Sequence, residues 1–156
     1  MKLSLKYSFW VAVIFSMVFF ACKKDANPYF SNGSAVTLTS NTTTITPGAK
    51  DSASTVLSLS WTNPKYATDS AHQKFLIQMD TTQDFTHPAV FEADGPLSQD
   101  YTGNQLNTVL ASFGFSPGKP FTIHIRVVSS YANNNEAYMS NVVTVTMTPY
   151  LVPITL

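Results

Sequence analysis

An all-β sandwich with one short helix is the fold class that this 156-residue sequence predicts, on three observations. Apolar residues recur at every second position in short runs broken by turn-forming residues. A single segment, Leu106 to Phe113, carries helical spacing instead. The chain holds one cysteine, so stability must come from apolar burial without an internal disulfide.

The leader comes first. Lys2 and Lys6 give a positive start, Phe9 to Phe20 an apolar run of twelve residues, and Phe19-Phe20-Ala21-Cys22 a cleavage region. A helix of that run, at about 1.5 Å per residue, reaches roughly 18 Å, short of the ~30 Å hydrocarbon core of a bilayer. It reads as an export leader and not as a span. The arrangement resembles the lipobox of bacterial lipoproteins, with Phe19 where leucine is usual. That resemblance implies that the Cys22 thiol takes a diacylglyceryl group, that the leader is cut just before it, and that the new amine is acylated. At roughly 0.8 kcal/mol per buried methylene, two or three acyl chains hold durably, so the expected localisation is lipid-anchored.

Cleavage before Cys22 leaves 135 residues, enough for one domain with its own core. Seven basic residues then face nine acidic ones, a net charge of minus two, and no basic patch points to nucleic acid. Residues 1–21 are thus the signal peptide and residues 22–35, with Asn27, Pro28, Ser31, Asn32, Gly33 and Ser34, a polar lipidated tether. Residues 36–150 are the expected sandwich and 151–156 a tail.

Within the domain, Val36 to Thr39 alternates, and Thr42 to Thr46 continues as a thin edge strand. Val56 to Trp61 turns Leu57, Leu59 and Trp61 to one face, and Phe75, Ile77 and Met79 repeat the pattern until the Thr81 to Gln83 turn. Val90 and Phe91 make a short strand before the break at Asp94-Gly95-Pro96. Phe121 to Val127 is the clearest strand, with Phe121, Ile123, Ile125 and Val127 inward. Val142 to Thr148 closes the series on Val143, Val145 and Met147. The exception is a two-turn helix, capped by Asn104, with Leu106, Val109, Leu110 and Phe113 on one face and Gly114 at its end. Six or seven short strands with one helix predict an immunoglobulin-like sandwich.

Leu57-Ser58-Leu59-Ser60-Trp61 with Asn63-Pro64, the strand Phe75 to Asp80, and Ser116-Pro117-Gly118-Lys119-Pro120-Phe121 leading into Thr122 to Val127 resemble fibronectin type III modules. Those modules usually place a tyrosine where Phe121 stands, so packing must hold that corner in place of a hydrogen bond. A narrower resemblance is to the N-terminal domain of SusE-type outer-membrane lipoproteins of Bacteroidota. It rests on Cys22 followed by Lys23-Lys24-Asp25, on Phe75 to Asp80 with Asp84-Phe85, on Leu106-Asn107, and on Ser140-Asn141-Val142 through Pro149-Tyr150. It implies an outer-membrane or surface location beside a glycan transporter and glycan-binding lipoproteins of a starch-like uptake system. In that family separate carbohydrate-binding domains hold the glycan, and only six residues follow Tyr150 here. The resemblance therefore implies a spacer domain.

Candidate sites are few. His72, His87 and His124 are scattered and lack the paired spacing of a metal site, so neither metal nor cofactor is expected. Asp80 with Asp84, and Glu92 with Asp94, are carboxylate pairs of the kind a glycosidase needs, but both flank turns, where aspartate ordinarily bonds its own backbone. Asp51-Ser52-Ala53, Asp69-Ser70-Ala71 and Asp80-Thr81-Thr82 resemble acceptor triplets for O-glycosylation. The better candidate is the pair of loops expected at one end of the sandwich, which carry Tyr66 and then Tyr131, Asn133, Asn134, Asn135, Glu136 and Tyr138. Aromatic faces suit the axial hydrogens of a sugar, and amides suit its hydroxyls. Trp61 belongs to the core.

The expected function is a non-catalytic outer-membrane or surface lipoprotein, a spacer or accessory component of glycan capture. Two alternatives stand: an adhesion or assembly module that binds another protein by the Thr42 to Thr46 edge, and a direct polysaccharide binder using the loop tyrosines.

Overall fold

The structure, a computed structural model, describes residues 33–66 and 72–151, so the leader, Cys22 and the Asp69-Ser70-Ala71 triplet lie outside the described residues. In chain order the elements are β1 (Leu38–Ser40), β2 (Thr44–Ile45), β3 (Thr55–Trp61), β4 (Gln73–Asp80), β5 (Ala89–Asp94), β6 (Ser98–Thr102), α1 (Gly103–Ser112), β7 (Phe121–Tyr131), β8 (Tyr138–Met139) and β9 (Val143–Met147). One sheet runs β1-β3-β6; the other runs β2-β9-β7-β4-β5, with β8 on β7. Two sheets facing across an apolar seam make the sandwich that the period of two predicts, and neither closes into a barrel.

The alternation sorts side chains as expected. Phe75, Ile77, Met79, Ile123, Ile125, Val127 and Val145 of the larger sheet are fully buried against Leu38, Leu57, Leu59 and Trp61 of the smaller. Each such side chain contributes roughly 1.5–3 kcal/mol of burial. Trp61 lies in that core with its ring tilted on Phe75 at 5.3 Å.

The structure corrects three local expectations. The Thr42 to Thr46 segment does form an edge strand, but one of only two residues, β2, laid parallel on β9, with Thr146 N–H donating to Thr43 and Thr148 N–H to Ile45. An additional strand, β6, has only Tyr101 as an apolar inward residue, too thin a signal for a period of two. The helix is ten residues long and its cap is Thr102 in place of Asn104. Thr102 Oγ1 accepts the Gln105 N–H at 3.3 Å while Gln105 Oε1 accepts the Thr102 N–H at 2.8 Å. The Asn104 N–H goes instead to the Ser52 carbonyl. Gly103 is needed there, since a Cβ would meet the Asp51 carbonyl oxygen at 2.6 Å.

The far end of α1 closes as expected at Gly114, which sits at φ +79. Phe115 N–H reaches back to Leu110 C=O and Gly114 N–H to Ala111 C=O, the paired closure of a Schellman turn. Phe115 is thereby placed flat on Phe121, centroids 3.8 Å apart and 4° from parallel. Ring packing thus ties the turn after α1 to the start of β7.

Two asparagine side chains staple the layers. Between β8 and β9, residues 140–142 face the shorter β7 segment 126–127, an irregularity that adds one residue and turns Asn141 toward β1. Its Oδ1 accepts the Leu38 N–H at 2.8 Å and its Nδ2 donates to the Leu38 carbonyl at 3.0 Å. Asn107 of α1 does the same to Tyr150, at 2.9 and 3.1 Å. Asn141→Ala strands both polar groups of a residue that is 1% exposed. A loss of about 1–3 kcal/mol is expected, read as a lowered urea midpoint at unchanged m-value.

Candidate functional site

The loop after β3 and the loop between β7 and β8 meet at one pole of the sandwich, as the topology requires. Ala132 N–H donates to the His72 carbonyl, and the β4 start pairs with the β7 end at Gln73 and Tyr131. Three of the predicted site residues form one aromatic group there. The Tyr66 ring lies 4.6 Å from Tyr131 and 6.4 Å from Tyr138, centroid to centroid.

Their surroundings differ. Tyr66 is 5% exposed, a correction to its expected place as a loop contact. Its hydroxyl donates toward the Ser129 carbonyl at 3.0 Å and the Glu136 carbonyl at 2.5 Å, which ties the first loop to the second. Burial raises the Tyr66 phenol above its ordinary pKa; the Ser129 hydrogen bond opposes this, and the neighbouring Tyr138, Tyr131 and Glu136 add to it. Tyr131 and Tyr138 are half-buried, whereas Asn133, Asn134 and Asn135 are exposed. The loop folds on itself: Asn134 N–H donates to Tyr131, Tyr131 N–H to Asn135, and Asn135 N–H to the Asn133 side chain. Asn134 and Glu136 take positive φ, which asparagine tolerates better than most residues. The Glu136 carboxylate accepts the Tyr138 hydroxyl at 3.2 Å. The surface left open carries two half-buried tyrosines beside three exposed asparagines.

The carboxylate pairs have other work. Asp80, at the end of β4, is 3% exposed and accepts backbone N–H groups from Thr81, Thr82 and His87 at 2.6, 3.2 and 3.0 Å. Burial alone would raise its pKa, but the donors from His87, Thr82 and Thr81 outweigh burial and hold it below the usual carboxylate value. The Thr82 hydroxyl bonds the Asp84 carboxylate. Glu92 pairs with Lys74 at 3.0 Å. Asp51 accepts the Gly48 N–H, so the aspartates of both described acceptor triplets serve the backbone. The loop that Asp80 organises carries Phe85 beneath Arg126, whose guanidinium carbon stands 4.1 Å from the ring centroid. Arg126 Nε also donates to Gln78 at 2.7 Å. His124 faces outward onto Thr144 at 3.2 Å. Among the described residues no group of three metal-ligating side chains comes together.

The class the structure defines is a two-layer β-sandwich with an aromatic and amide pole. The family model of the SusE outer membrane protein matches residues 23–128, and the chain belongs to that family. No curated relative matches it. Among solved structures it is similar to the crystal structure of the E. coli chaperone DraB, at 15% identity and a TM-score of 0.34, over 76% of this chain. The chain spans 57% of that chaperone's length.

Two outcomes test these roles. Tyr66→Phe removes the hydroxyl shared by the Ser129 and Glu136 carbonyls and should cost about 1 kcal/mol, with faster amide exchange across residues 132–137. Because the folded pKa of Asp80 is depressed, its contribution is present above the unfolded value near 3.9 and is lost as pH falls through the folded value. Asp80→Asn should therefore lower stability at pH 7 and flatten its acid dependence below about pH 4, followed by denaturation across pH.

Proposed function

We propose that the protein is a non-catalytic, lipid-anchored spacer or accessory component of a glycan capture system at the outer membrane. The match to the SusE outer membrane family over residues 23–128 carries this reading. Cys22, immediately before the matched segment, is the residue that would hold the lipid. The partners implied are a glycan transporter and glycan-binding lipoproteins of a starch utilisation system, with the domain setting their distance from the membrane. The fit of the sandwich to this role is mechanical: its elements are tied at both ends by side-chain bonds to backbone, as a stiff spacer needs.

An assembly module is the second reading, favoured by one observation. The six-residue strand β5 has a single neighbour in its sheet, and Val90 on it is 50% exposed. An extended segment of another protein could add there by backbone hydrogen bonds.

Cys22→Ser should release the protein from sedimented outer membranes and abolish incorporation of labelled palmitate. Retention of both by the variant would sink the anchor. Affinity gels cast with a polysaccharide panel separate the direct binder, since a spacer migrates unretarded. Retardation lost in Tyr131→Ala would move the assignment to the loop.

A further inference from the structure

We propose that a second copy of this chain pairs along β5, antiparallel and about a two-fold axis, so that the larger sheet runs on from one copy into the other; this rests on the assembly reading above and names its partner. The ladder fixes which backbone groups of β5 are open. Gly95 N–H donates to the Gln73 carbonyl at 3.0 Å, in the register that pairs Lys74 with Asp94. Bonded and non-bonded pairs alternate in an antiparallel ladder, so Ala89, Phe91 and Ala93 bond β4 while Val90, Glu92 and Asp94 turn N–H and C=O to the outside. These three residues are exposed, and among the described residues no side chain or loop bonds their backbone groups.

The other sheet edges are covered. At β1, Leu38 has both backbone groups held by the Asn141 side chain. At β2, the Thr42 hydroxyl accepts the Thr44 N–H at 3.2 Å and donates to the Thr44 carbonyl at 2.9 Å. At β6, the Gln99 side chain donates to the Asp100 carbonyl at 2.9 Å and Gln105 holds the Thr102 N–H. Covers of this kind blunt an edge against stray pairing. Among the described residues β5, longer than β1, β2 or β6, has no such cover.

Register makes the strand complementary to itself. Opposed residues of antiparallel strands point to the same face, so only every second offset is allowed. With Phe91 facing Phe91, Val90 of one copy lies opposite Glu92 of the other and their open groups exchange both hydrogen bonds, while Asp94 N–H meets the Pro88 carbonyl. One step along, Glu92 faces Glu92, and like charges so placed repel. One step the other way, Glu92 faces Pro88, which has no N–H to give. In the favoured register Val90, 50% exposed, is covered by the Glu92 stem across from it, and each Glu92 keeps its own Lys74 at 3.0 Å. On the inner face, the half-buried Phe91, which meets Tyr101 edge-on at 5.3 Å, gains the other Phe91 ring.

The test uses the full chain in outer membranes, expressed as two copies with different tags. A photo-crosslinking benzoylphenylalanine in place of Val90 should join the two tags in one band. The same probe in place of Met139 should not, since the paired sheets hold the two copies of that position roughly 34 Å apart at ~4.8 Å per strand. Equal joining from both positions overturns the pairing. A band that joins position 90 to a different protein overturns the second copy and keeps the edge reading; no band overturns both. Capture of one tag by the other from detergent-solubilised membranes then reads the register. Val90→Pro removes an N–H that β4 does not use and should abolish capture with circular dichroism unchanged. Val90→Glu, which faces Glu92, should lower capture about tenfold, and Val90→Lys should retain it. Capture by the proline variant, or equal loss in the lysine and glutamate variants, overturns the proposal.

Discussion

The structure depends on one apolar seam between sheets of unequal size. With a single cysteine in the whole chain, nothing covalent links the layers, so the fold stands on side chains such as Leu57, Leu59, Ile77 and Ile123 that are withdrawn completely from water. Such a seam resists separation but is non-directional. Direction comes from two amide staples. Asn141 and Asn107 each offer a donor and an acceptor in one plane to both backbone groups of a single residue, Leu38 and Tyr150, and so fix where the first strand and the chain beyond the last strand lie. The paired geometry matters because a buried N–H or carbonyl without a partner costs more than the bond itself contributes.

The two poles are built differently. At one, the Tyr66 hydroxyl joins the loop after β3 to the carbonyls of Ser129 and Glu136, the entering chain bonds Pro64 and Thr62, and Asn133, Asn134 and Asn135 stand exposed. At the other, α1 crosses between the sheets, its first N–H groups satisfied by Ser52, Ser54 and Thr102, and its last turn sets Phe115 against Phe121.

Much of this was legible beforehand. The inward residues of β3, β4, β7 and β9 follow from alternation, because a side chain on a strand has only two directions to point. Gly114 follows from helix-ending chemistry. β6 stayed hidden because Ser98, Gln99, Asp100 and Thr102 surround its one buried tyrosine with polar residues. The cap slipped from Asn104 to Thr102 because both residue types cap well, and Gln105 favours Thr102 by closing a reciprocal pair. The loop position groups Tyr66 with Tyr131 and Tyr138. The grouping holds in space, yet a loop address carries no measure of burial.

The sequence alone determined the periods and the turn residues, and hence an all-β body. These are local properties, set by each residue's neighbours a few positions away. The tertiary structure decided what depends on distant segments meeting: Asn141 bonded across 103 positions to Leu38, and Tyr66 buried with its hydroxyl on carbonyls 63 and 70 positions away. A hydrogen-bonding group has no fixed partner until the chain folds back to supply one, and so its role is read only from the closed structure.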